Sequence, residues 1–258
     1  MRPEKVTFSF GENWLRYLER LGPERYQEAK RSVQDLLGEG ALAGKAVLDI
    51  GCGSGIFSLA AIELGARRVV SMDVDPRSIE ACRRVRQQCD AERWEVIDGS
   101  VLDRELLDSL GVFDVVYAWG VLHHTGAMWE AVDNAAGLVA PGGRLALAIY
   151  NRTWTSGLWL RYKRLYNCSP NAVKSLLVWA ILLPRMAVRL ARLRHPLKDR
   201  RGMSVYHDAI DWAGGLPYEY ASWDEVVAHL TARGLHCARW TGTKGIGCNE
   251  FVFTRPGT

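Results

Sequence analysis

The sequence predicts an α/β domain: a mostly parallel sheet with helices on both faces. Three observations predict it. From Lys45 onward, short apolar segments alternate with helical segments of about 10–15 residues. A glycine cluster, Gly51-Cys52-Gly53-Ser54-Gly55, separates the first such strand from the first such helix. An acidic residue, Asp73, ends the second strand.

The elements follow in order. Residues 1–44 read as two helices. Glu12–Leu21 carries Leu15, Leu18 and Leu21 at helical spacing, Gly22-Pro23 punctuates, and Glu24–Leu37 is closed by Gly38. The core spans 45–150. Its strands are expected at Ala46–Ile50, Arg68–Asp73, Trp94–Ile97, Phe113–Ala118 and Arg144–Ile149, the last after a turn at Pro141-Gly-Gly143. Helices are expected after Gly55 to about Leu64, from Pro76 to about Gln88, and from Met128 to Val139. Residues 151–215 form an expected helical cap, and 216–258 add a helix (Trp223–Arg233, capped by Ser222) and two strands (near 236–240 and 250–254). No long helix separates those strands, which suits an antiparallel pair. The whole chain reads as one domain.

Composition limits the function classes. The 258 residues are 48% hydrophobic and 24% charged, the profile of a soluble globular chain with a sizeable core. The start, Met1-Arg-Pro-Glu-Lys-Val, lacks an apolar targeting region, and no apolar run reaches the roughly 20 residues of a bilayer span. Six scattered cysteines form no Cys-x-x-Cys pair, so reduced thiols in a cytoplasmic setting are expected, without a metal site. The net charge of +4 conceals an asymmetry. Residues 152–201 hold twelve Lys/Arg against one acid, Asp199, a local +11 that leaves −7 for the rest of the chain.

The glycine loop is the most specific motif. It reads Asp49-Ile-Gly51-Cys52-Gly53-Ser-Gly55. A dinucleotide fingerprint would need a third glycine at position 56, which is Ile56, and no Gly-Lys-Ser/Thr follows for a phosphate loop. Asp49 would repel a pyrophosphate, so the acid beside the loop suits a cationic ligand. Asp73 stands where a carboxylate can take two ribose hydroxyls, and the branched Val74 can pack on one face of an adenine.

Residues 45–150 resemble the core of the class I S-adenosylmethionine (SAM)-dependent methyltransferases, nearest to the ubiquinone-biosynthesis-like methylases of small molecules. The resemblance rests on Val-Leu-Asp-Ile-Gly-Cys-Gly-Ser-Gly (47–55), Met-Asp-Val-Asp-Pro (72–76), Phe-Asp-Val-Val (113–116), Val-Leu-His-His (121–124) and Ala-Pro-Gly-Gly-Arg-Leu (140–145). SAM carries an ammonium and a sulfonium and no phosphate, matching the loop's acid. The resemblance implies a Rossmann-like seven-stranded sheet of order 3-2-1-4-5-7-6. It also implies that Gly51, Gly53, Asp73 and Val74 line the SAM site; Asp49, Cys52, Gly55, Ser100 and Val101 are expected alongside them, with Trp119 as a wall. Ser100 replaces an aspartate that the family often has near the adenine amino group.

Ligands of open α/β sheets sit at the carboxyl ends of the strands. The fourth strand leads there to His123 and His124, which are expected on the rim as candidate general bases; His suits that role near neutral pH. The resemblance gives the second of such a pair a structural alternative, buried and tying loop to helix. Tyr150, Asn151 and Trp154 leave the fifth strand as candidate substrate contacts, and a capped strand end is the alternative for the first two. Within the cap, Trp154, Leu158, Trp159, Tyr162, Leu165 and Tyr166 recur at helical spacing, Leu176–Leu183 is apolar and expected to stop at Pro184, and 207–220 reads as an irregular aromatic loop. Three readings of the cap stay open: a lid over an apolar or anionic substrate, an interfacial segment in peripheral contact with a membrane, and a homodimer interface. The expected function is SAM-dependent O- or N-methylation of a small molecule. The alternative is modification of a nucleic acid or other polyanion through 152–201. Against it, the fourth strand ends in Ala118-Trp-Gly-Val rather than the Asn/Asp-Pro-Pro-Tyr/Phe motif typical of amino methylation of bases.

Overall fold

Short strands buried on both faces set the architecture. In the computed structural model, which describes residues 11, 15, 23–89, 91–191, 205–243 and 245–257, the strands are β1 (Ala46–Ile50), β2 (Arg68–Asp73), β3 (Trp94–Asp98), β4 (Phe113–Trp119), β5 (Val139–Tyr150), β6 (His236–Thr241) and β7 (Cys248–Thr254). They form one sheet of order β3-β2-β1-β4-β5-β7-β6. β1 to β5 run parallel, while β7 lies antiparallel to both β5 and β6. Leu48, Ile50, Val70 and Met72 face one side of the sheet, and Val47, Val69, Val115 and Ala146 face the other. Two apolar layers result, each needing its own cover of helices.

The helices supply that cover. One face carries α5 (Met128–Gly137) and α9 (Trp223–Thr231); the other carries α1 (Pro23–Leu37), α2 (Ile56–Glu63) and α3 (Pro76–Arg86). Gly38 ends α1 at φ +98°, its amide closing on the Gln34 carbonyl at 2.8 Å. α3 begins with Pro76 after Asp75, whose carboxylate accepts from the Arg77 amide. Ser222 and Glu225 form a capping box on α9.

Several elements differ from the sequence expectation. A seven-residue helix, α4 (Arg104–Leu110), follows β3; it is too short to show a period, although Asp103 caps it through the Leu106 amide. Pro141-Gly-Gly143 is no free turn but lies inside a longer β5. Val139 already pairs with Phe113, the register shifts between Phe113 and Val115, and a Cβ on Gly143 would come within 2.9 Å of the Asp114 carbonyl. The glycines let two backbones approach at a bulge. The expected helix over Glu12–Leu21 lies almost wholly outside the described residues.

Among its described residues the cap contains three helices: α6 (Ser156–Cys168), α7 (Asn171–Ala191) and α8 (Val205–Gly214). Pro184 does not stop α7. Ala180 and Pro184 are both exposed, so the carbonyl that proline leaves without a donor can turn to water. Nor is 207–214 irregular, because buried Ala209, Trp212 and Ala213 share one helical face. The stretch Asn171–Val188 is also long and apolar enough, by length and composition alone, to cross a membrane, which the search for an unbroken apolar run did not anticipate. The cap has its own apolar cluster, in which Val178, Ile181 and Leu182 of α7 meet Tyr166, Trp212 and Leu216, and it joins the main domain through Tyr150 and Tyr218.

At the opposite end of the sheet, Asp114 accepts from the Ala46 amide at 2.8 Å and from Arg67 Nη2 at 3.0 Å, pinning the entry to β1. Asp114→Ala leaves that amide without its acceptor and is expected to cost about 1–3 kcal/mol. Urea unfolding with an unchanged slope checks this; an unchanged midpoint would show the clasp to be dispensable.

Candidate active site

The glycine loop folds back onto the ends of β2 and β4. The Gly51 and Cys52 amides both donate to the Met72 carbonyl, at 2.7 and 3.1 Å. Gly51 has φ +70°, and a Cβ there would lie 2.3 Å from Val121 Cγ2, so only glycine lets the loop touch the β4 exit. Gly55 caps α2 in the left-handed region, where a Cβ would meet Cys82 Sγ at 2.7 Å. The Cys52 thiol turns into the core toward Cys82. That hydrogen bond, with burial, raises it well above the ordinary thiol range, so Cys52 offers the mouth only its backbone.

Asp73 holds the loop. One carboxylate oxygen accepts from the Gly53 amide at 3.0 Å and the other from the Asp75 amide at 2.9 Å. Burial raises this carboxyl, and those two amides oppose the shift. Each oxygen keeps a further lone pair for a ligand hydroxyl. Val74 beside it is half exposed, an apolar surface open at the sheet edge. The Gly11 amide donates to Asp75 Oδ2 at 2.9 Å, so Gly11 reaches this edge as well.

Three expected cofactor residues stand differently from the expectation. Asp49 does not present its charge at the mouth. It lies under α2, accepting from Ser58 Oγ at 2.5 Å in a chain that continues through Ser71 Oγ to Trp94 Nε1. Burial pushes its carboxyl up to about 7. Ser100 Oγ accepts from the Leu102 amide and so braces the turn after β3. Val101 is a core side chain, and its carbonyl accepts from Asn134. Trp119, half-buried at the end of β4, donates from Nε1 to Glu250 Oε1 at 3.1 Å.

The histidine pair does not stand on the rim. His123 has 0% exposure and packs against the Tyr150 ring at 4.0 Å between centroids. Burial holds it well below the usual histidine range, reinforced by His124 and Lys163 and opposed by the backbone of Ala148. Neither of its ring nitrogens makes a hydrogen bond of good geometry. His124 is buried too, with Nδ1 2.6 Å from the Pro217 carbonyl and its pKa pushed down by burial to about 3. The 215–221 segment is tied across this turn: the Glu219 amide donates to the His123 carbonyl, and the Glu219 carboxylate accepts from the Met128 amide at the start of α5. Asn151 is committed to the β6–β7 hairpin. It donates to the Thr243 and Gly245 carbonyls and accepts from Asn249, which makes it a strand-end tie rather than a substrate contact. Trp154 is 96% exposed, so it does not join Trp159 and Tyr162 in the cap.

Sequence reasoning missed Lys163. It is fully buried, donates to the Trp212 carbonyl, and its Nζ lies 4.8–5.5 Å from the ring centroids of Tyr218, Trp212 and Tyr150. Burial pushes it down to about 7. Burial likewise pushes the Tyr218 phenol up to about 12. Among twelve basic residues of one segment, nothing in the sequence singles this one out.

Residues 48–145 match the family described as a methyltransferase domain. The matched residues lie within a sheet of the Rossmann-like methyltransferase order, and SAM is the cofactor consistent with that match. Ribosomal protein L11 methyltransferase of Azotobacter vinelandii is 40% identical over 109 residues, 42% of this chain; the chain spans about a third of the length of the curated relatives it matches. Magnesium protoporphyrin IX methyltransferase from Synechocystis, solved with S-adenosylhomocysteine, has the same fold at a TM-score of 0.57 and 16% identity, over 95% of this chain and 93% of that one. NodS, an N-methyltransferase of Bradyrhizobium japonicum, gives 0.53 and 18%, over 96% and 100%. The match ends within β5, and the cap, α9, β6 and β7 lie beyond it. The donor set fits SAM: a carboxylate at Asp73, an apolar face at Val74 and a glycine loop whose two side chains, Cys52 and Ser54, are buried.

Asp73→Ala is expected to weaken SAM binding tenfold or more, since it removes a charged acceptor and frees the Gly53 amide. Titration calorimetry measures it, and unchanged affinity would remove Asp73 from the site. Lys163→Met tests the cage. The folded chain releases this proton near pH 7 and the unfolded chain near its ordinary 10.5, so the destabilisation is full below 7 and is relieved as pH rises toward 10.5. The variant's stability relative to wild type should therefore fall by a few kcal/mol between about pH 6 and about pH 9 in urea unfolding. A flat difference would mean that Lys163 stays charged in the fold.

Proposed function

We propose that the whole chain transfers the SAM methyl group to an oxygen or nitrogen of a small molecule held under the cap. The observation that carries this reading is the roof over the ends of β4 and β5. Tyr150, Lys163, Trp212 and Tyr218 come from four segments and meet above the His123-His124 turn. A site enclosed by the chain's own aromatic side chains suits a small ligand with an apolar or aromatic body better than a folded protein or a duplex. The names of the fold neighbours, which include an O-methyltransferase family protein of Burkholderia thailandensis (TM-score 0.58, 18% identity, 90% of this chain and 56% of that one), support the small-molecule reading.

SAM, when bound, supplies an activated methyl group on its sulfonium. Asp73 would take the ribose hydroxyls, Val74 the adenine face, and the loop backbone the methionine portion. The chain's main contribution is to hold the acceptor atom in line and exclude water. His123 is the group to take a proton from an acceptor hydroxyl or ammonium. Its nitrogens are not engaged in good hydrogen bonds, but burial opposes its protonated form, so the role requires Tyr150 and α6 to move and admit both acceptor and water. His124, spent on Pro217, positions the turn. The scatter of six cysteines without a Cys-x-x-Cys pair supports a cytoplasmic setting for this reaction. A second reading, methylation of a protein, is favoured by the likeness to L11 methyltransferases.

The test offers labelled SAM with small phenols, carboxylic acids and amines, in parallel with a ribosomal protein fraction. Label is expected in the small molecules. His123→Ala should lower the maximal rate tenfold or more with SAM affinity unchanged, and the loss should shrink at high pH, where the acceptor ionises unaided. Label confined to protein would overturn the small-molecule reading and leave methyl transfer standing.

A further inference from the structure

Helix α7 has the wrong polarity for a helix on a soluble surface. Val178, Ile181 and Leu182 are buried in the cap cluster, which uses up one side. At 100° per residue, Val173, Leu176, Trp179, Leu183 and Leu190, with three alanines among them, fall in an arc of about 120° on the opposite side. All are exposed; Leu176, Leu183 and Leu190 show 70%, 58% and 56% of their surface. No charged residue falls in that arc. On α6, Leu158 and Leu165 are exposed in the same way, beside exposed Arg161 and Arg164.

An apolar face of this size needs a partner. The cap's charge points to which one. The segment 152–201 carries a net +11 in a chain whose remainder is −7. A second copy seated face to face would bring two such segments together, whereas an anionic lipid surface complements both the apolar arc and the basic residues. Crossing the bilayer is disfavoured, because Val178, Ile181 and Leu182 would have to leave the cap core.

We propose that the cap docks on an anionic lipid bilayer, with α7 lying in the interfacial plane and its outer arc at the headgroup–acyl boundary. Arg161 and Arg164, exposed beside Leu158 and Leu165 on α6, then lie against the headgroups. This surface is independent of which acceptor the domain methylates.

Vesicle co-sedimentation of the full chain tests it. Vesicles of phosphatidylcholine with about 30 mol% phosphatidylglycerol should bind the protein at least tenfold more tightly than pure phosphatidylcholine, and added salt should weaken the binding. Leu176→Asp with Leu183→Asp should lower binding tenfold or more with SAM affinity and helix content retained; both positions are exposed. If the double variant loses helix content, the lipid and salt dependence of the wild type decides. Failure of the wild type to bind anionic vesicles overturns the proposal. So does a wild-type dimer, seen by light scattering, that ignores vesicles and that the double variant splits; a second copy is then the partner.

Discussion

The clasp between Asp73 and the glycine loop is the interaction on which the site depends. A carboxylate at the end of β2 accepts from amides on both sides of the mouth, Gly53 and Asp75, and thereby fixes where β1 hands over to α2. The same oxygens retain lone pairs for a ribose. One group therefore shapes the empty loop and presents itself to the ligand, which explains why burial can raise its pKa without removing it from the chemistry. The close contact of Gly51 with Val121 carries this constraint on to the exit of β4, one turn before the histidines.

The acceptor side is held differently. Its polar groups are enclosed by aromatic rings and backbone carbonyls rather than by opposing charges. Lys163 has a carbonyl and three ring faces for company, and His124 has the Pro217 carbonyl and the rings of His123 and Tyr150. Such an environment favours neutral forms: an amine near 7 and neutral imidazoles. Neutral groups buried among rings at the ends of β4 and β5 would suit transfer to a lone pair, because a water-poor surround leaves the acceptor without competitors.

The cap also reconciles two features that look contradictory in the sequence: many cations and much apolar surface. Burial inside the cap uses one stripe of α7 and one lysine of α6. What remains on the outside is an apolar arc within a basic segment. That combination is costly in water and matched at an anionic interface, so the element that roofs the acceptor site would also set its orientation to a lipid surface.

The α/β core was legible in the sequence because its signals are local. Strand and helix each impose a period on the residues they bury, and the Asp-x-Gly-x-Gly-x-Gly run with Asp73 is chemistry written in contiguous residues. β1 and β2 fall on the expected residues, and the sheet order implied by the family resemblance is the one observed. Four things were decided only by tertiary structure: that Asp49 faces Ser58, that His123 and His124 are buried, that Asn151 ties a hairpin, and that one lysine of twelve sits in an aromatic cage. Each depends on partners 9 to nearly 100 residues away in the chain, brought together by packing. Side-chain type and spacing determine which element forms, whereas the direction a polar group faces, and so its charge, is set by whatever the rest of the fold places against it.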